Sequence, residues 1–118
     1  MNDTIAQTHL MAVRPNGDRI PVTLAIGKPY QIAPDQEWAC PVSLADLHKL
    51  PDARGEDSFQ ALCLAISLAL RLLESFQAQG GRLLFAGETD EEYELPKGLL
   101  HLGLRPTAIE AHSEDELT

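Results

Sequence analysis

Cys40 and His48 are the residues of this chain whose types and spacing could support nucleophilic chemistry. His48 follows Cys40 by eight positions, and an imidazole within hydrogen-bond reach of a thiol can remove its proton. Either Asp46 or Glu37 could orient that imidazole. However, Cys40 lies in a segment of alternating apolar residues, which is typical of a cysteine that packs as a small core hydrophobe. The pattern therefore favours core packing, and we predict no catalytic residue.

A small-ligand pocket is the alternative interpretation of the same region. Trp38 is the only tryptophan, and its ring could stack on a ligand beside Cys40 and His48. A single tryptophan more often anchors a core. The alternative function is therefore a small-ligand-binding protein, or an enzyme, with a pocket near these three residues.

The sequence does not indicate a metal or phosphate site. Gly80-Gly81 follows a predicted helix, whereas a phosphate-binding loop opens one. The four histidines lie on separate predicted elements and lack the close spacings of metal ligands; they are His9, His48, His101 and His112. We therefore predict no metal site and no cofactor.

The acidic charge of the chain limits its partners. The formal net charge is −9, and from residue 88 onward nine acidic residues stand against Lys97 and Arg105. Such a surface repels phosphate backbones, so we predict no nucleic-acid partner. The acidic runs are typical of solvated segments. The functional alternative is that they attract a basic protein partner.

Length and composition favour one soluble domain over residues 1–118, with 1–7 and 107–118 flexible. Arg71 and Glu74 interrupt the most apolar run, and the chain does not begin with an export signal, so we predict no membrane partner. Cys40 and Cys63 do not make a disulfide framework in a chain of this size. We therefore expect the protein to be cytoplasmic.

One long helix dominates the predicted elements. Asp57 can accept a hydrogen bond from the N–H of Gln60, and the Gln60 side chain can reach back to the N–H of Asp57. The helix is predicted to begin at Ser58 and to end near Gln79, before the glycine pair. At 1.5 Å per residue it is about 33 Å long.

This helix carries more apolar surface than one sheet can cover. Its predicted buried arc includes Phe59, Leu70 and Leu73, and a second apolar flank lies beside that arc. Either the chain itself or a second copy must cover the flank. The helix is longer than the predicted strands, which favours a homodimer. The candidate dimer interface is Ala61, Leu64, Ala65, Leu68 and Leu72.

The remaining pattern predicts an α+β domain with an antiparallel sheet of about five strands and the helix on one face, in the order βββαββ. Asn16-Gly17 is a strong hairpin signal between the first two strands. Pro21 indicates a sheet edge or the start of a strand, and Pro41 indicates a sheet edge or a bulge. The predicted strands are His9–Arg14, Arg19–Ile26, Trp38–Leu44, Leu83–Ala86 and Leu99–Leu104.

Three segments together resemble a family of small uncharacterised bacterial proteins with a domain of unknown function. The resemblance covers roughly Arg19 to Phe85 and implies a bacterial source but no mechanism. The segments match I-G-x-P, W-x-C-P and G-x-D-S-x-Q-A-L in that order: Ile26-Gly27-Lys28-Pro29, Trp38-Ala39-Cys40-Pro41 and Gly55-Glu56-Asp57-Ser58-Phe59-Gln60-Ala61-Leu62.

The favoured hypothesis for function is a non-enzymatic protein-interaction module that acts as a homodimer. Its size and acidity are those of secretion chaperones and of immunity proteins that neutralise toxins, which is an analogy of size and charge alone. The pattern favours a protein that is not an enzyme.

Overall fold

A computed structural model describes residues 3–87 and 90–96. The chain is α+β, as predicted, with antiparallel strands and one helix. The strands form two sheets instead of one, in the orders β5-β2-β1-β7 and β3-β4-β6. The elements are β1 (Thr4–Val13), β2 (Arg19–Gly27), β3 (Tyr30–Gln31), β4 (Trp38–Cys40), β5 (Val42–Ala45), β6 (Ala53–Gly55), α1 (Ser58–Ala78) and β7 (Arg82–Phe85).

The first two strands form the predicted hairpin. The Asn16 side chain accepts a hydrogen bond from the N–H of Asp18 at 2.9 Å, and Gly17 takes a φ of 94°, which glycine adopts readily. Pro21 lies opposite Met11 of β1, while β5 pairs only with Thr23–Ile26 of β2. The prediction for Pro21 is therefore confirmed. At this position β2 has no β5 neighbour, so the backbone N–H that proline lacks is not needed there.

The predicted flexible start is wrong for Thr4–Gln7, which belong to β1. These residues are held by β2, whose register places Gln7 opposite Ala25. Polar composition concealed the strand, since most of these side chains are exposed and show no alternation. The predicted strand Leu99–Leu104 and the segment 107–118 lie outside the described residues.

The predicted strand Trp38–Leu44 is two strands in different sheets. Pro41 separates them, and its carbonyl oxygen accepts a hydrogen bond from the N–H of Gly27 at 2.9 Å. Proline has no N–H to continue a ladder, so the chain leaves the smaller sheet at Cys40 and joins the larger one at Val42. The expectation of an edge or bulge at this proline missed the change of sheet.

The strand β6 was not predicted. It spans three residues with Arg54 exposed at its centre, and it pairs with β4 so that Ala39 lies opposite Arg54. Such a short segment contains no periodicity that a sequence pattern can detect. This strand brings the chain to the start of the helix.

The helix has the predicted Asp57 cap with one change of partner. Asp57 Oδ1 accepts from the N–H of Gln60 at 2.7 Å. Gln60 Oε1 accepts from the N–H of Glu56 at 2.7 Å, one residue before the predicted donor. The helix ends at Ala78, and Gly80 follows with a φ of 97°. Two backbone donors, one just before the helix and one in its first turn, are therefore still satisfied, although the capping box is shifted by one residue.

The two sheets together cover the helix, including most of the second flank. Towards the end of the helix, Leu70 and Leu73 pack in a core cluster with residues of the larger sheet such as Val22. Three alanines of the flank pack in a second cluster with Cys40 and Val42; they are Ala61, Ala65 and Ala69. The chain therefore supplies its own cover for these alanines.

This packing changes the predicted dimer interface. Ala61 and Ala65 are fully buried within the chain and are not available to a second copy. Leu68 packs on the second cluster and Leu72 on the first, and both remain partly exposed. Leu64 is also partly exposed. The two alanines of the predicted interface are thus inside the protein.

By length and composition alone, α1 could cross a membrane, and Arg71 and Glu74 do not prevent this. The core helix of a globular protein passes the same test. Seven of its residues are buried within the chain, and one of them is the polar Ser67. We therefore interpret α1 as the core helix of this domain.

Candidate binding groove at the helix start

An apolar groove of about 360 Å³ lies where the helix begins. Its lining comes from three separate parts of the chain: the end of β2, the start of β4 and the first turns of α1. The lining residues are Lys28, Pro29, Trp38, Ser58, Phe59 and Leu62. All three segments that carry the family resemblance therefore contribute to one surface. We call this surface the helix-start groove.

Hydrogen bonds through Gly27 join the first two of these segments. The Cys40 thiol donates to the Gly27 carbonyl oxygen at 3.4 Å, and the N–H of Gly27 donates to Pro41. The N–H of Lys28 donates to the carbonyl oxygen of Asp3 at 2.9 Å. These contacts fix the backbone that presents Pro29 to the groove.

Gly55, which begins the third segment, determines how closely β6 and the first turns of α1 can pack together. A Cβ at this position would lie 2.6 Å from the backbone nitrogen of Ala61, which is too close for any side chain. The absence of a side chain therefore lets β6 pack directly against the first turns of α1. The Asp57 cap then orients the turn that carries Phe59.

Phe59 is the most exposed large apolar side chain of the described residues, at 74%. It was predicted to lie in the buried arc of the helix, and that prediction is wrong. Phe59 lies in the first turn of the helix, where no described strand packs over its side chain. Its ring is instead exposed in the groove beside the partly buried Trp38.

Three acidic residues are sequence neighbours of groove-lining residues. Glu56 and Asp57 are exposed at the start of the helix. Glu37 accepts a hydrogen bond from Arg54 at 2.7 Å, so those two charges offset each other. Lys28 is the basic residue in the lining.

A second groove of about 650 Å³ continues from Lys28 and Pro29. Two of its lining residues, Tyr30 and Asp52, are joined because the Tyr30 hydroxyl donates to Asp52 Oδ2 at 2.7 Å. This hydrogen bond raises the pKa of Tyr30 and so keeps the phenol in its neutral form. The bond joins the start of β3 to the segment before β6.

Trp38, Cys40 and His48 do not form one pocket. Trp38 lines the helix-start groove, whereas His48 lines two other grooves beside the turn after β5. Cys40 is fully buried, and burial followed by the charge of Asp52 raises its pKa to about 11. A protonated, inaccessible thiol does not act as a nucleophile. The structural interpretation of Cys40 as a core residue therefore agrees with its position.

Sequence reasoning missed Phe59, Leu62 and Pro29 as site residues. The available signal was the resemblance itself, because its three segments contain all of the groove lining. Apolar periodicity assigned Phe59 and Leu62 to the core and could not show that both line a surface groove. Within residues 3–87 and 90–96, no cluster of histidine, cysteine and carboxylate side chains could hold a metal ion.

Comparison with known proteins places the chain in a family. No curated protein and no solved structure matches it. The match to a protein family extends over residues 7–97, well over half of the chain. This range begins within β1 and continues past the last described residue, so it includes the whole helix-start groove. The chain belongs to the family described as Domain of unknown function (DUF6968).

Proposed function

We propose that this protein is a non-enzymatic protein-interaction module that binds another protein in the helix-start groove. The observation that carries this proposal is the exposure of Phe59 beside Pro29, Trp38 and Leu62. Burying a phenylalanine side chain removes its apolar surface from water and contributes about 1.5–3 kcal/mol. A partner would supply this burial, since the fold leaves the ring exposed.

The partner in this proposal presents an apolar side chain flanked by lysine or arginine. The apolar side chain would occupy the groove beside Phe59. The basic neighbours would face Glu56 and Asp57, which are exposed at its margin. The formal charge of −9 supports the same choice, because it attracts basic proteins over long range. Chaperone-like and immunity-like roles both require this kind of polypeptide binding.

The proposal extends to the family and its location. We infer that the three segments at the groove recur among the members of the family, and that the source is bacterial. Alignment of other members at Pro29, Trp38 and Phe59 tests the first statement, and loss of apolar character at all three would contradict it. A cytoplasmic location is part of the proposal, since Cys40 and Cys63 are free thiols; cell fractionation tests it.

Photo-crosslinking from position 59 tests the function directly. Phe59 is replaced by p-benzoylphenylalanine in the full chain, which is irradiated in bacterial cells. Phe85 is replaced in the same way as a control, because it is an exposed aromatic residue on β7 rather than in the groove. The proposal predicts covalent capture of another protein from position 59, at a peptide that carries lysine or arginine.

Salt provides a second criterion. Exposed charges are screened over about 10 Å at 0.1 M ionic strength, so capture in lysate should fall as salt is raised to 0.5 M. Equal capture from positions 59 and 85 would contradict the proposal. So would capture that yields only a small molecule or only copies of the chain itself.

A further inference from the structure

A pocket of about 410 Å³ lies at the C-terminal end of α1, at the other end of the helix from the helix-start groove. Three separate parts of the chain form it: the turn between β1 and β2, the turn after β5 and the last turns of the helix. They contribute, among others, Arg14, His48 and Ser75. We call it the helix-end pocket. Its size is that of pockets that hold small organic molecules.

The glycine pair after α1 allows the close packing that builds two walls of this pocket. Gly80 has a φ of 97°, and a Cβ there would lie only 3.3 Å from Pro15 Cγ. A Cβ at Gly81 would overlap the ring of Phe76. Pro15 and Phe76 both line the pocket. The two glycines thus let the β1–β2 turn and the ring of Phe76 approach the end of the helix.

One side of the helix-end pocket is apolar. It contains Leu47, Leu72 and Phe76, which pack on the core cluster of the larger sheet and remain partly exposed. Leu72 belongs to the second flank of the helix, so part of the apolar excess of α1 is in contact with solvent here. A ligand with an apolar body would remove this surface from water, which is favourable.

The lining of the pocket carries positive charge and no carboxylate among the described residues. Its ionisable side chains are Arg14 and His48, and Asp46, two residues before His48, lines the neighbouring groove instead. Three other arginines form ion pairs with carboxylates, namely Arg19, Arg54 and Arg82. Within residues 3–87 and 90–96, Arg14 forms no such pair. Its guanidinium group is therefore available to an anion from outside the chain.

Ser75 adds a hydroxyl group to the same lining. Its Oγ accepts a hydrogen bond from Gln79 Nε2 at 3.5 Å, which leaves the hydroxyl hydrogen to be donated. The planar guanidinium group of arginine presents paired N–H donors that match a carboxylate. The pocket thus combines donors for an anion with an apolar side.

We propose that the helix-end pocket binds a small monocarboxylate with an apolar body. The carboxylate pairs with Arg14 and accepts a hydrogen bond from Ser75, and the apolar body packs on Leu72 and Phe76. One unpaired guanidinium group balances the single charge of a carboxylate. The formal charge of −9 opposes an anion only weakly at a distance, because exposed charges are screened over about 10 Å at 0.1 M ionic strength. This proposal does not depend on the function of the helix-start groove.

Titration with sodium octanoate, followed in heteronuclear NMR spectra of the full chain, tests the ligand class. Octan-1-ol is the matched neutral compound and octylammonium the matched cation. We expect octanoate to bind most tightly of the three and to shift the amide signals of the β1–β2 turn and of the last turns of α1. Equal affinity for octanoate and octan-1-ol, or shifts confined to other parts of the chain, overturns the proposal.

Variants of the lining test the position of the ligand. Arg14→Gln should weaken octanoate binding at least about tenfold, as removal of a charge-assisted hydrogen bond does, and leave octan-1-ol binding unchanged. Arg71→Gln is the matched control, since Arg71 is an exposed arginine of α1 outside the pocket lining. Ser75→Trp fills the pocket and should abolish octanoate binding with unchanged circular dichroism. Octanoate binding that Arg14→Gln leaves unchanged, that both arginine variants weaken equally, or that Ser75→Trp retains in full overturns the proposal.

Discussion

Replacing Gly55 with alanine measures how strongly the helix start depends on its contact with β6. The added Cβ would lie 2.6 Å from the nitrogen of Ala61, about 0.8 Å short of the 3.4 Å at which ordinary contact begins. The atoms that it meets are backbone, so α1 itself must move away. Overpacking of this kind costs about 1–3 kcal/mol. We expect the free energy of unfolding to fall by about 2 kcal/mol in urea, with an unchanged slope.

The matched control is Gly17→Asn in the β1–β2 turn. A Cβ at Gly17 meets nothing within 4 Å, so space does not limit this position. The position is limited instead by its φ of 94°. Among residues with a side chain, asparagine tolerates such a conformation comparatively well. The control should therefore lose less than about 1 kcal/mol. If Gly55→Ala were as stable as the wild-type chain, the close packing of α1 on β6 would be refuted.

Three further changes test the cap, the buried thiol and an ion pair. Asp57→Ala should lower the free energy of unfolding by about 1 kcal/mol through loss of the Gln60 hydrogen bond; an unchanged urea midpoint would contradict this. Cys40 should resist iodoacetamide at pH 8 until urea unfolds the chain, because burial raises its pKa to about 11; rapid native modification, located by mass spectrometry, would count against its burial. Arg19 donates to Asp90 and lowers the pKa of that carboxyl group, so the pair stabilises the fold above the ordinary aspartate pKa and loses this effect as the pH falls through the lowered value. In NMR titration, Arg19→Gln should return Asp90 to the ordinary range, and an unchanged titration would show that the pair does not form.

Local patterns predicted the elements that depend on neighbouring residues. Asp57 accepts its capping hydrogen bond from the N–H of Gln60, three residues later in the chain. The Asn16-Gly17 turn closes a hairpin between two consecutive strands. Both involve contacts within a few positions, which the sequence displays directly. The antiparallel α+β class follows from the same short-range signals. The start of β1 was missed because its exposed side chains show no alternation.

The candidate site depended on contacts between distant parts of the chain. Lys28, Trp38 and Phe59 lie in three segments, and neither charge nor periodicity shows that they meet. Pro41 moves the chain from one sheet to the other, and this creates the smaller sheet on which the helix begins. Helical periodicity could not reveal that Phe59 remains exposed in the first turn of the helix while Ala61, two residues later, is buried.

The sequence by itself determined the helix and its cap, the first hairpin, the excess of apolar helix surface and the acidic charge. Each of these follows from residue types at short spacing or from composition. Only the tertiary structure decided that a second sheet covers the alanine flank, that Phe59 is exposed and that β1 extends beyond β7. The physical reason is that burial of a side chain depends on which distant strand packs over it. Hydrophobic periodicity describes one side of such a contact and does not identify the other.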